Sequence, residues 1–204
     1  MHIAEGVLSA PVLLVGAVAA AGLTGVGVKK TDQDRIPVVA VMAAAFFIAS
    51  LVHIPLGPAS VHLILNGLMG ALLGWACVPA LLVGLGLQAV LFQFGGLTVL
   101  GVNTVIMAAP ALGLGLVLRP VIQGRGVVAV AASFCVGMGG VIGAGCVAAL
   151  ALYASGEEFL SAAQLLVAAH LPVALLEGGV TAIVVGSLKR IRPEIFAATS
   201  ESGV

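Results

Sequence analysis

The feature that most constrains this chain is a series of long, unbroken apolar runs, which close off every water-soluble fold. Of its 204 residues 61% are hydrophobic and only 8% are charged. A soluble domain of that length cannot bury so much apolar surface, so the sequence predicts an integral membrane protein. A transmembrane barrel needs segments of about ten residues that alternate polar and apolar. The runs here do not alternate, which predicts an all-α architecture. The 28 glycines point the same way. In lipid no hydrophobic force draws helices together, and small residues let their backbones approach.

A helix needs about 20 apolar residues to cross the hydrocarbon. The sequence predicts about seven transmembrane helices in one domain over 1–204, near 7–28, 36–53, 60–75, 79–93, 103–118, 126–153 and 160–188. Residues 1–6 precede the bundle and 189–204 form a polar tail. The Pro- and Gly-bearing stretch 53–60 reads as a loop, and the glycine-rich 94–103 as a buried or re-entrant one. Lys29, Lys30, Arg35, Arg119, Arg125, Lys189, Arg190 and Arg192 are all the basic residues. With seven spans all eight fall on one side, which the positive-inside rule makes cytoplasmic. The N-terminus is then expected outside and the C-terminus in the cytoplasm. Trp75 and Tyr153 fall at expected membrane boundaries. No basic residue precedes Lys29, so the first helix reads as a retained span and not a secretory signal. No basic stripe exists to bind nucleic acid. Cys77, Cys135 and Cys146 lack CxxC spacing and read as packing residues.

Within this frame the start, Met1-His2-Ile3-Ala4-Glu5-Gly6, carries chemistry. The Met1 amine, the next peptide nitrogen and Nδ1 of His2 close fused five- and six-membered chelate rings around one metal ion. Three coplanar nitrogens suit Ni(II) and Cu(II). An exposed histidine at a frayed terminus has the same sequence signature. The large His2 predicts that Met1 is kept. By the predicted topology His53, His62 and His170 share the outer half with His2. Glu177 falls mid-helix, where a carboxylate needs a partner or a cavity. It lies two turns, about 10 Å, from His170 on the same face. Either residue also fits a satisfied packing role, as His53 fits a wetted loop. The spacings Ala17/Ala21, Ala40/Ala44 and Gly139/Gly143 read as helix contacts, within the chain or to a membrane partner.

Five segments carry a resemblance. The start Met1–Ser9, the segment Gly57-Pro58-Ala59-Ser60-Val61-His62-Leu63 and the segment running from Leu87-Gln88-Ala89 through Gly95-Gly96-Leu97-Thr98 to Asn103-Thr104 resemble the CbiM/NikM family. That family supplies the substrate-binding membrane component of cobalt and nickel importers of the energy-coupling-factor type. His170-Leu171-Pro172 to Glu177-Gly178 and Arg190–Glu194 resemble its last helix and tail. The resemblance implies a seven-helix, non-catalytic subunit of a plasma-membrane importer that carries Co(II) or Ni(II) as substrate. Its implied partners are a transmembrane coupling subunit, two ATPase subunits and a small accessory membrane subunit. Its implied metal ligands are Met1, His2 and His62; Glu5, His53, His170, Glu177 and Asn103 are candidate supporting residues around them. Val7 departs from the aromatic that family members often carry there, and Pro58-Ala59-Ser60-Val61 from their Thr/Ser/Gly-rich stretch.

Other functions fit less well. An intramembrane hydrolase of rhomboid type needs a Gly-x-Ser-x motif, which does not occur. A channel or haem-binding bundle wants histidines paired across helices, and only His170 is well inside one. A vitamin-binding component buries its ligand among aromatics, and only 4% of this chain is aromatic. There is no phosphate-binding loop of the Gly-x-x-x-x-Gly-Lys-Ser/Thr kind, so ATP-driven uptake needs ATPase partners.

Overall fold

The computed structural model describes residues 3–51, 53–56 and 59–197. Among them seven main helices alternate in direction: α1 (Ala10–Lys29), α2 (Ile36–Ala49), α3 (Asn66–Leu73), α4 (Cys77–Phe92), α5 (Leu100–Gln123), α6 (Val127–Tyr153) and α7 (Leu160–Ile191). A single further turn, α8 (Glu194–Ala197), follows. Between α2 and α3 the strands β1 (His53–Leu56) and β2 (Ala59–His62) form an antiparallel hairpin, with His53 opposite His62 and Leu56 opposite Ala59.

The predicted helix over 60–75 is corrected here. Its first residues are extended, and α3 begins only at Asn66. Pro55 cannot donate to a helix and pushes Ile54 toward extended geometry. The β-branched Ile54 and Val61 favour the same state. The helix predicted over 36–53 is cut short for this reason, and α2 ends at Ala49. Conversely, α5 extends past the predicted 118 to Gln123, accommodating both Pro110 and Pro120.

Five helical stretches among the described residues are long and apolar enough to cross a bilayer: Ala10–Lys29, Asn66–Phe92, Leu100–Gln123, Val127–Tyr153 and Glu157–Ile191. The second of these is not one rod. Asn66 bonds to the Met107 carbonyl, while Gly74 abuts Arg119 twelve residues further down α5. Gly86 is then back beside Leu100. The chain runs along α5 and reverses at Gly74, where φ is +55°, a conformation that glycine adopts without a Cβ clash. At 1.5 Å per residue α3 is only about 12 Å long, a half-height helix.

That short helix is the hub of the bundle. All eight of its residues are buried, and a helix apolar on every side belongs inside other helices. Glycines let α5 and α6 close on it. A Cβ on Gly70 would lie 2.0 Å from the Ala111 carbonyl oxygen, and one on Gly67 would lie 2.4 Å from that of Val136. From the opposite side, a Cβ on Gly115 would meet the Gly70 carbonyl at 2.4 Å and one on Gly140 would meet Gly67 Cα at 2.8 Å. The predicted pair Gly139/Gly143 packs on Leu114 and Pro110 of α5. Ala40 and Ala44 instead face outward. Of the cysteines only Cys77 is buried; Cys135 and Cys146 are exposed, which corrects their assignment as packing residues.

The basic residues gather at one end of the bundle. Lys30 lies 5.4 Å from the Trp75 ring centre, and Arg35 donates to the Leu72 carbonyl at 3.0 Å. Burial lowers the Arg35 pKa, and the Asp32 carboxylate opposes that shift. Lys189 donates to the carbonyls of Ile122 and Gly124 at the end of α5, where a cation complements the helix dipole. On the outer surface Leu14, Val18, Val41, Val90, Val117 and Leu165 are each more than half exposed, as side chains solvated by lipid must be.

Candidate metal-uptake site at the histidine end

The opposite end is organised around two backbone segments that side chains from other helices hold in place. The first is the N-terminal strap. Ile3 is buried, and its N–H donates to Asn103 Oδ1 at 3.1 Å while its carbonyl accepts from Asn103 Nδ2 at 3.1 Å. An amide side chain thus pairs with a peptide as a strand neighbour would, using both of its hydrogen-bonding edges. Glu5 adds a second attachment. Its N–H donates to the Gly95 carbonyl at 3.2 Å. Its Oε1 accepts from the Thr98 N–H at 3.1 Å and the Thr98 hydroxyl at 3.3 Å. Gly96, at φ +138°, leaves the room: a Cβ there would fall 2.0 Å from Glu5 Cγ. Ser9 N–H closes the strap on Ser155 Oγ at 3.1 Å.

The second segment leads from β2 into α3 and carries His62. Glu177 of α7, fully buried, accepts from the N–H of Ile64 and, at 3.0 Å to each carboxyl oxygen, from that of Leu65. A helix start leaves N–H groups without intrahelical partners, and here a carboxyl group from another helix supplies the acceptor. Leu65 has φ +55°, the left-handed region that costs a non-glycine residue about 1 kcal/mol or more, and the Glu177 bonds hold it there. One residue on, Asn66 ties three helices together. Its Nδ2 donates to the carbonyls of Met107 at 3.1 Å and Gly140 at 3.0 Å, and its Oδ1 accepts from the Gly67 N–H at 2.9 Å.

The two segments meet on α5. Asn103, which holds Ile3, and Met107, whose carbonyl holds Asn66, are one helical turn apart on one face, about 6 Å along the axis. The strap and the His62 loop are therefore anchored side by side.

The histidines divide by surroundings. His62, half-buried, has Nδ1 3.0 Å from the Leu63 carbonyl. A carbonyl only accepts, so Nδ1 carries the proton and a neutral ring keeps its lone pair on Nε2, the tautomer a metal needs there. His170 is fixed the same way, Nδ1 to the Leu166 carbonyl at 2.7 Å, two turns before Glu177 on α7. His53 is the register partner of His62 in the hairpin. Met1 and His2 lie outside the described residues. Among those described, no three of His, Cys, Asp and Glu converge on one point.

Several anchors escaped the sequence reading. Asn66 was legible as the one polar residue in the run Ile64–Leu73. The bond from Gln88 Nε2 to Ser50 Oγ, 2.8 Å and buried, joins α4 to the end of α2. Nothing in the spacing of those two residues announces it.

Comparison with known proteins agrees with this architecture. The family described as CbiM, cobalt uptake substrate-specific transmembrane region, matches residues 2–195. A Haemophilus influenzae protein named for metal transport is 42% identical over 98% of both chains. The fused nickel transport protein NikMN of Rhodobacter capsulatus is 37% identical over 53% of this chain and 33% of its own length. Among solved structures, one titled as a transition metal transporter superposes with a TM-score of 0.77 at 26% identity, covering 94% of this chain and 93% of its own.

Proposed function

The chain belongs to the CbiM family of cobalt-uptake transmembrane components, and from that premise we propose that it captures Co(II) or Ni(II) at the histidine end through Met1, His2 and His62. It is a multi-pass membrane component of cobalt and nickel uptake and not an enzyme. The ligands are the Met1 amine, the His2 peptide nitrogen and Nδ1, and Nε2 of His62. The observation that carries the proposal is the shared anchoring on α5. With Ile3 fixed to Asn103, two preceding residues reach at most about 7 Å. The adjacent Asn66 and Glu177 bonds fix the loop that presents His62.

Four nitrogens in one plane suit d⁸ Ni(II) well and can also hold Co(II); availability and geometry set the preference more than affinity does. A +2 ion with one deprotonated amide leaves a net positive charge. Glu5, part of the strap, offsets it, while Glu177 acts through the His62 loop. In this role Asn103, Glu5 and Glu177 position the ligands, and His53 and His170 are candidate supporting residues.

The proposal extends to the assembly. All seven helices cross or enter the membrane with the N-terminus outside and the basic end in the cytoplasm, forming a single domain over 1–204. Uptake is driven through a coupling subunit, two ATPase subunits and a small accessory membrane subunit. The outward-facing Ala40 and Ala44 are the candidate contact for the coupling subunit. The decisive experiment is metal titration of the purified chain with and without one additional residue before Met1. The extension removes the terminal amine from the chelate and leaves every side chain in place. Binding should fall by orders of magnitude; undiminished binding rejects the site.

A further inference from the structure

We propose that the groove between α6 and α7 at the basic end holds one anionic phospholipid, its phosphate at Arg125 and Arg190 and an acyl chain along Gly186. This cavity of about 670 Å³ is lined by both basic and apolar side chains. Arg125, Lys189 and Arg190 are the basic residues of its lining. Lys189 is committed in part to the carbonyls of Ile122 and Gly124. Arg125 and Arg190 are exposed and have no hydrogen-bond or ion-pair partner among the described residues. Beside them α6 begins at Val127 after Gly126, with no side chain capping its first N–H groups. Two unpaired guanidinium groups beside an uncapped helix start are chemistry for a phosphate.

The apolar part of the lining favours a ligand with a hydrocarbon chain over a free inorganic anion. Val127, Val130 and Ile183 line the groove, and Gly186 leaves it open, with no atom within 4 Å of where a Cβ would sit. The same helix pair has a second cavity of about 670 Å³ at its other end, lined by Tyr153, Leu160 and Leu171 and without a basic residue. Apolar grooving is thus common to both ends, and positive charge marks only one. Basic side chains beside an apolar groove match the headgroup and acyl chain of an anionic lipid, and with the basic end cytoplasmic, as proposed above, that lipid belongs to the cytoplasmic leaflet.

The test is native mass spectrometry of the protein released from nanodiscs of equal phosphatidylcholine and phosphatidylglycerol. Wild type should retain phosphatidylglycerol about tenfold over phosphatidylcholine. The double variant Arg125→Ala/Arg190→Ala should lose that preference, and Gly186→Leu should lower retention of both lipids. Lys29→Ala/Lys30→Ala removes two charges from the same end outside the groove and should keep the preference. Thermal unfolding checks that each variant is folded. No preference in wild type, an unchanged groove variant, or equal loss in the Lys29/Lys30 control would overturn the proposal. So would a Gly186→Cys variant that cross-links to a membrane partner subunit with no lipid retained, which would assign the groove to that partner.

Discussion

Asn103→Ala tests whether the strap, and not only the ligands, makes the site. The substitution removes two hydrogen bonds of 3.1 Å that hold both polar atoms of the Ile3 peptide. Each is worth about 0.5–1.5 kcal/mol net, so the pinned arrangement loses about 2 kcal/mol against a released one. Ile3 keeps its apolar burial, at 5% exposure, which stops the strap from detaching outright. If metal binds only the pinned arrangement, about 2 kcal/mol becomes up to ~30-fold in Kd. Calorimetric titration with Ni(II) and Co(II) reads the affinity, and hydrogen exchange at the Ile3 amide reads the strap itself. The exchange should accelerate by a similar factor. Faster exchange with affinity inside twofold of wild type would refute the reasoning, because it would show the metal indifferent to where residue 3 is held.

The other predictions follow from the same geometry. Glu177→Gln leaves one carbonyl oxygen to serve the N–H groups of Ile64 and Leu65, and should cost about 1.5–3 kcal/mol of stability by chemical denaturation, with weaker metal binding. Gly96→Ala puts a Cβ into Glu5 at a φ only glycine readily takes, so the strap should loosen and metal affinity fall while overall folding, read by circular dichroism, persists. Gly70→Leu drives a side chain into the Ala111 backbone, and should abolish folded protein in detergent as judged by size-exclusion chromatography, since neither backbone can yield. Lowering pH should weaken metal binding, because the amine, with a pKa of ~8, and the peptide nitrogen must both lose protons. Two protons released predict a slope of about two decades of Kd per pH unit below that pKa; a flat profile from pH 8 to 6 would contradict an amine ligand.

The membrane setting and the helical class were determined by the sequence, because apolar runs of that length admit no other solution. It also determined the gathering of the basic residues at one end, since each lies near the end of an odd-numbered predicted span or the start of the even-numbered span that follows. Glu5 and Asn103 were named through the motifs of the family resemblance, although their partners, Gly95-to-Thr98 and Ile3, were not. The tertiary structure decided those partners, because a hydrogen bond across 93 or 100 residues depends on which helices pack and leaves no local pattern. It also decided that residues 59–62 are a strand and that Asn66–Leu73 is a buried half-helix. An apolar run specifies burial in lipid or in protein equally well, and only the close approach of Gly67, Gly70, Gly115 and Gly140 made α3 the hub that holds the His62 loop beside the strap.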